Sequence, residues 1–268
     1  MRFNRQRRSV ELSQEPEGNW LRIDQEDCFL ETMDVADARH RGTNSSIFRC
    51  VGAEGDHPYV VKFCRYSLST RSQWERRRIS RFLREIDALK VARDSQFSDC
   101  VIRIVDDGVL EIPAIPQGPR TIGGTDQVRY YVMERADSDL TTFLEQNELT
   151  FPQKIALCSE LVRILTGLHS LGIYHRDVKA DNILMMSGQL LFGDLGLINF
   201  RNVDHDIDEA REKIGPFGLL SPEATNKCLG LRDKASFLFD CWIDEKSDVF
   251  QLGQMFGSFC RMKCLPDI

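Results

Sequence analysis

A short run of the chain, Tyr174-His175-Arg176-Asp177-Val178-Lys179-Ala180-Asp181-Asn182, gathers carboxylates, cations and an amide, and a little further on Phe192-Gly193-Asp194-Leu195-Gly196 sets another carboxylate between glycines. Carboxylate and amide oxygens are hard donors of the kind that Mg²⁺ accepts. Fixed lysine and arginine side chains neutralise anionic charge. Such a set can support chemistry on a highly charged group held by a divalent cation. A lone His-x-Asp with an asparagine nearby arises by chance in loops, so the weight falls on what else occurs in order along the chain.

Upstream lie Tyr59-Val60-Val61-Lys62 in a strand-like run, Arg84-Glu85-Ile86 on the helix that follows it, and Met133-Glu134. Downstream come Ser221-Pro222-Glu223 and Asp248-Val249-Phe250-Gln251-Leu252-Gly253. In this order the segments resemble the eukaryotic-type protein kinase family, serine/threonine-kinase-like, over roughly residues 34 to 260. The resemblance implies ATP and Mg²⁺ as cofactors, a protein substrate, and phosphoryl transfer through a loose transition state, in which the enzyme mainly positions oxygens and neutralises charge. It implies that Asp177 directs the substrate hydroxyl and takes its proton, that Lys179 stands beside the transferred phosphate, and that Asn182 and Asp194 hold the metal. Lys62, paired with Glu85, would fix the α- and β-phosphates. Gly42, Ser45 and Ile47 would belong to the loop covering the phosphates, and Met133, Glu134 and Ala136 to the segment that receives adenine. Ser221-Pro222-Glu223 would close the activation segment, and the helix at Asp248 would brace the catalytic loop.

The chain departs from the family pattern in several places. Counting back from Lys62, the glycines of the phosphate loop fall on His40, Gly42 and Ser45, so that only Gly42 is glycine. Glycine lets backbone N–H groups close on phosphate without a Cβ in the way, and weaker nucleotide binding is the expected result. The metal turn reads Asp-Leu-Gly, which keeps the ligand. Between Leu195 and Leu220 there is no Ser, Thr or Tyr, but there are Asp204, Asp206, Asp208, Glu209 and Glu212. A fixed carboxylate could therefore stand beside Arg176 where the family places a phosphate, or the acids could form an ordinary solvated loop. Pro216 is a tyrosine-kinase feature, whereas Lys179 two residues after Asp177 is the serine/threonine arrangement, which we favour.

Past Ile268 the family implies further helices, so that the chain is a fragment, or another chain covers that surface, or the lower lobe is minimal; a truncated lobe would expose apolar faces and favour self-association. A pseudokinase acting as a nucleotide-binding or scaffolding module is the alternative reading. Its mark would be loss of Lys62, Asp177, Asn182 or Asp194, all of which are present. Small-molecule kinases such as the aminoglycoside phosphotransferases lack a Ser-Pro-Glu closure, and Pro222 and Glu223 favour a protein substrate. Nothing specific supports an interaction protein without nucleotide.

The elements that must position these residues follow from patterning. Residues 1 to 27 are polar, with Arg2, Arg5, Arg7 and Arg8 in a basic cluster, and read as a disordered lead-in. An N-lobe is expected over 28–133, with strands at Phe48–Val51, Tyr59–Phe63, Val101–Val105 and Val128–Met133. A helix over Gln73–Arg93 presents Ile79, Phe82, Leu83, Ile86, Leu89 and Val91, and Pro113–Gln127 is an exposed loop. Residues 134–268 form the hinge and a C-lobe with helices at Asp139–Gln146 and Pro152–Leu171, the second apolar at Ile155, Leu157, Leu161, Ile164, Leu165 and Leu168.

The whole is a two-lobed α+β fold, with an antiparallel sheet and one helix in the first lobe and mainly helices in the second. With 268 residues, 42% of them hydrophobic, there is ample material for a core. A net charge of −6 argues against a general nucleic-acid binder. No apolar run suits a membrane span or a signal peptide, so a cytoplasmic protein is expected, or a nuclear one. The nine cysteines are scattered and read as reduced core residues. A zinc site from Cys228, Cys241, Cys260 and Cys264 fits no common spacing.

Overall fold

Alternation of inward and outward side chains organises the first half of the computed structural model, which describes residues 1–14, 16–23, 26–33, 45–52, 55–116, 124–202, 207–231 and 239–261. The chain opens with a hairpin of β1 (Arg2–Asn4) and β2 (Ser9–Glu11), then runs through β3 (Trp20–Ile23), β4 (Glu26–Thr32), β5 (Ser45–Gly52), β6 (Gly55–Ser67), helix α1 (Gln73–Arg93), β7 (Ile104–Pro113) and β8 (Thr125–Glu134). The strands after the hairpin form one antiparallel sheet of six in the order β3-β4-β5-β6-β8-β7. The chain divides into two compact units, Met1–Ile86 with Arg103–Arg135, and Asp87–Ile102 with Ala136–Ile268.

In the first unit, Phe48, Val61, Phe63, Tyr130 and Val132 point from one face of the sheet into an apolar core. Their chain neighbours Ile47, Lys62 and Tyr131 are register partners on the opposite face. That face meets α1, whose Ile79, Phe82 and Ile86 are buried, with the Phe82 ring centroid 5.4 Å from that of Tyr131. Helical spacing explains the choice of residues. Val91, expected among the apolar positions, is instead exposed, and Ala88, Leu89 and Ala92 are buried in the last turns.

The N-terminal segment corrects the expectation of disorder. Its strands contribute Met1, Phe3, Val10, Leu21 and Ile23 to the same core, and Ile115 N donates to Phe3 O at 2.9 Å. Its apolar residues are few but fall where a strand buries them, and the surrounding arginines hide them from a compositional reading. The exposed loop expected over Pro113–Gln127 is also shorter, because β7 and β8 remain paired to Pro113 and Thr125.

The second unit holds β9 (Ser138–Asp139), α2 (Leu140–Gln146), α3 (Phe151–Ser170), β10 (Ile173–Tyr174), β11 (Ile183–Met186), β12 (Gln189–Phe192), β13 (Asn199–Phe200), α4 (Pro222–Leu229) and α5 (Glu245–Arg261). Both helices expected near its start carry side-chain caps. Asp139 accepts from Thr142 N, and Thr150 with Gln153 forms a reciprocal capping box. Helix α3 buries Leu161, Ile164, Leu165 and Leu168, while Ile155 is exposed.

Gly167 lies where α3 passes Cys100, and a Cβ there would come within 2.2 Å of Cys100 Sγ. Alanine gains about 1 kcal/mol of helix propensity, but overpacking typically costs about 1–3 kcal/mol, and Cys100 is fully buried with little room to retreat. Gly167→Ala is expected to lower the midpoint of thermal unfolding, measured by circular dichroism.

The cysteines at 28, 50, 64, 100, 158, 228 and 241 are free. Burial pushes the Cys64 and Cys50 thiols up to about 12, which suppresses the reactive thiolate. Among the described residues no group of His, Cys, Asp or Glu is placed to hold a metal by itself, and Cys264 lies outside them. No helix among them is long and apolar enough to cross a membrane.

Candidate active site

In the first unit, β6 and α1 bring together two residues far apart in sequence. Lys62 Nζ lies 2.7 Å from Glu85 Oε1, with both side chains almost wholly buried. The Tyr131 hydroxyl donates to the same oxygen at 3.0 Å, and the ammonium stands 5.7 Å from the Tyr131 ring centroid. Removing two charges from water is unfavourable unless the carboxylate is well satisfied; here it accepts from both a cation and a phenol. The result is an ammonium group held in one place.

Ile47 sits directly across the sheet from Lys62, and Ser45, which is buried, sits across from Cys64. Met133 and Glu134 close β8 opposite Val60 and Tyr59, and Glu134 N donates to Arg103 O at 3.0 Å. Ala136 follows outside the strand. Gly42 and His40 lie outside the described residues.

In the second unit, α5 holds the backbone of His175, Arg176 and Val178. Asp248 and Gln251 lie one turn apart, and both are fully buried. Asp248 accepts from the backbone nitrogens of His175 at 2.7 Å and Arg176 at 2.6 Å, and bonds His169 Nε2 at 2.9 Å. Gln251 accepts from Val178 N at 2.8 Å and donates to Arg176 O at 3.4 Å. This clasp holds Arg176 at a φ of 67°, a left-handed conformation that side chains with a Cβ disfavour.

The residues expected to do chemistry stand on that loop. Asn182 Nδ2 donates to Asp177 Oδ2 at 2.8 Å and to the Asp177 carbonyl at 2.9 Å, and Lys179 Nζ lies 3.5 Å from the same carboxylate oxygen. His175 Nε2 lies 3.3 Å from Gly193 O, which can only accept, so that nitrogen carries the proton; Nδ1 then accepts from Asp177 N at 3.3 Å. Gly193 N donates to Asn182 O at 2.8 Å, which sets the turn bearing Asp194 beside Asn182. Asp194 is exposed with a φ of 43°, while Leu195, in the family's phenylalanine place, is fully buried.

These residues fit a hard divalent cation. The Asn182 amide nitrogen is committed to Asp177, so its oxygen is the atom that could meet a cation, and the Asp194 carboxylate reaches solvent. A small protein share of oxygens suits Mg²⁺, whose octahedron is usually completed by water and phosphate.

Sequence reasoning gave no role to Tyr131 or His169, and it included Gln251 only within the segment whose helix would brace the catalytic loop. The spacing of Gln251 from Asp248, one helical turn, was the available signal for the last of these. Of the acids between Leu195 and Leu220, Asp208 meets Arg176, at 2.5 Å, with both side chains fully buried. Glu212 instead accepts from Glu209 N near the surface, and Asp204 and Asp206 lie outside the described residues. Ser221 caps α4, and its hydroxyl bonds that of Ser247, which in turn donates to Glu223.

The sequence matches the protein kinase domain family over residues 40–261. It is similar to Cyclin-dependent kinase 12 of Caenorhabditis elegans, 43% identical over 72 residues that make up 25% of this chain and 10% of the relative. With the Schizosaccharomyces pombe serine/threonine-protein kinase shk1/pak1, identity is 32% over 106 residues, 38% of this chain and 15% of the relative. With the Danio rerio dual specificity protein kinase Ttk it is 24% over 226 residues, 84% of this chain and 20% of the relative. The chain thus spans 20% or less of the length of these relatives.

Proposed function

The chain belongs to the protein kinase family, and from that premise we propose that it is an active enzyme moving the γ-phosphoryl group of ATP to serine or threonine hydroxyls of other proteins. In the proposed reaction the substrate hydroxyl oxygen bonds to the γ-phosphorus, the bond to the β-γ bridging oxygen breaks, ADP leaves, and the hydroxyl proton passes to the Asp177 carboxylate. Lys62, held by Glu85, would anchor the α- and β-phosphates. Asn182 and Asp194 would hold Mg²⁺, which when bound offsets the phosphate charge. Lys179 would neutralise the transferred group, and Asn182 would aim the Asp177 carboxylate.

The observation that carries this reading is the grouping of Asn182 and Lys179 on one oxygen of Asp177. Those residues have the identity and the mutual geometry that the chemistry needs. The Lys179 position and the similarity to the serine/threonine-protein kinase shk1/pak1 support a serine/threonine substrate, and a cytoplasmic or nuclear setting suits that role.

The test is transfer of labelled phosphate from ATP to a mixed protein substrate, followed by identification of the labelled amino acid. Label on serine or threonine that disappears with a chelator and returns with Mg²⁺ is the expected result. Label confined to tyrosine would overturn the substrate class. No transfer by the folded protein would overturn the activity.

A further inference from the structure

We propose that Asp208 is a positioning residue, a permanent counter-charge that holds the loop bearing Asp177 in its working shape, so that turnover requires no phosphate on the chain's own segment between Leu195 and Leu220. The proposal rests on the kinase reading above for its effect on turnover, but not for its effect on the loop.

The argument starts from Arg176. Its side chain has no solvent exposure, and a buried guanidinium needs a fixed anion close by. Asp208 Oδ2 lies 2.5 Å from Nη2 and is equally buried. The backbone of Arg176 is left-handed and is already gripped by Asp248 and Gln251 from α5. The side chain is tied by Asp208, which comes from the segment after β13. Asp177 is the next residue, so the direction of its carboxylate follows from how Arg176 is seated.

A buried ion pair contributes little stability compared with apolar side chains of similar size. What the pair contributes here is direction, because a charge-assisted bond fixes the guanidinium where apolar contact would let it settle differently. The tie also has no off state that phosphorylation of its own segment could set. No hydroxyl residue occurs between Leu195 and Leu220, so no serine, threonine or tyrosine there can accept or lose a phosphate.

The variant that separates positioning from folding is the apolar pair Arg176→Met with Asp208→Leu, which removes both charges and keeps side-chain volume. Its thermal midpoint should stay within a few degrees of the wild type. Amide hydrogen exchange across Tyr174–Asn182, a measurement that needs no turnover, should speed up at least tenfold, and kcat should fall at least tenfold with KM for ATP changed less than threefold. Phosphatase treatment of the wild type should leave kcat within twofold.

Unchanged loop exchange in the apolar pair, or unchanged kcat, would overturn the positioning role. A tenfold loss of wild-type turnover on phosphatase treatment would show that a phosphate elsewhere on the chain sets the loop, and would overturn Asp208 as its sufficient counter-charge. A wild type with no transfer, combined with faster loop exchange in the variant, would overturn the kinase reading and uphold the role of Asp208 in shaping the loop.

Discussion

Asp177→Asn is expected to lower kcat by roughly 10²–10⁴-fold, the usual contribution of a positioned proton acceptor, with KM for ATP and the thermal midpoint nearly unchanged. Asparagine keeps the shape of the side chain and an oxygen that can still accept from Asn182, now 2.8 Å from Asp177 Oδ2. It loses the negative charge that attracts Lys179 at 3.5 Å, and it cannot take the hydroxyl proton. A steady-state comparison of the two proteins decides the matter. A loss below threefold would remove Asp177 from the chemistry, whereas a fallen thermal midpoint would show that the carboxylate supports the loop as well.

Asp248→Ala should have the largest effect on stability. The carboxylate is fully buried and serves the backbone nitrogens of His175 and Arg176 and the ring of His169. Each buried donor left without an acceptor costs about 1–3 kcal/mol, so the total reaches at least about 3 kcal/mol of the roughly 5–15 kcal/mol that a domain has. Urea unfolding should show a midpoint far below that of the wild type, or no cooperative transition. Asp248→Asn keeps one acceptor oxygen and should lie between the two. An alanine variant as stable as the wild type would mean that water replaces the carboxylate.

Much of this arrangement was legible in the sequence because it is local. The run from Tyr174 to Asn182 carries its own geometry in its spacing, and the helix over Gln73–Arg93 and the capped helices α2 and α3 announce themselves by period and end residues. The placement of Lys62 and Glu85 followed from family order, and the two side chains lie 2.7 Å apart.

What patterning missed depends on partners distant in sequence. The hydroxyl of Tyr131 looks like one more strand aromatic until β8 is set beside β6 and opposite α1. Five acids lie between Leu195 and Leu220, and it is the path of the chain that sets Asp208 against Arg176. The N-terminal strands were lost for a different reason. Their apolar residues are separated by exposed polar ones, so the average over the segment resembles a solvated tail although Phe3, Val10, Leu21 and Ile23 are core residues.

The hydroxyl-free segment that carries Asp208 also sets the tempo on which such an enzyme could be governed. Switching by an added group on that segment would act in seconds and be undone as quickly. An aspartate written into the polypeptide can be withdrawn only with the polypeptide itself. Under the proposed function, the level of signal would then follow the number of molecules, through synthesis and degradation, and the history it records would be measured in protein lifetimes.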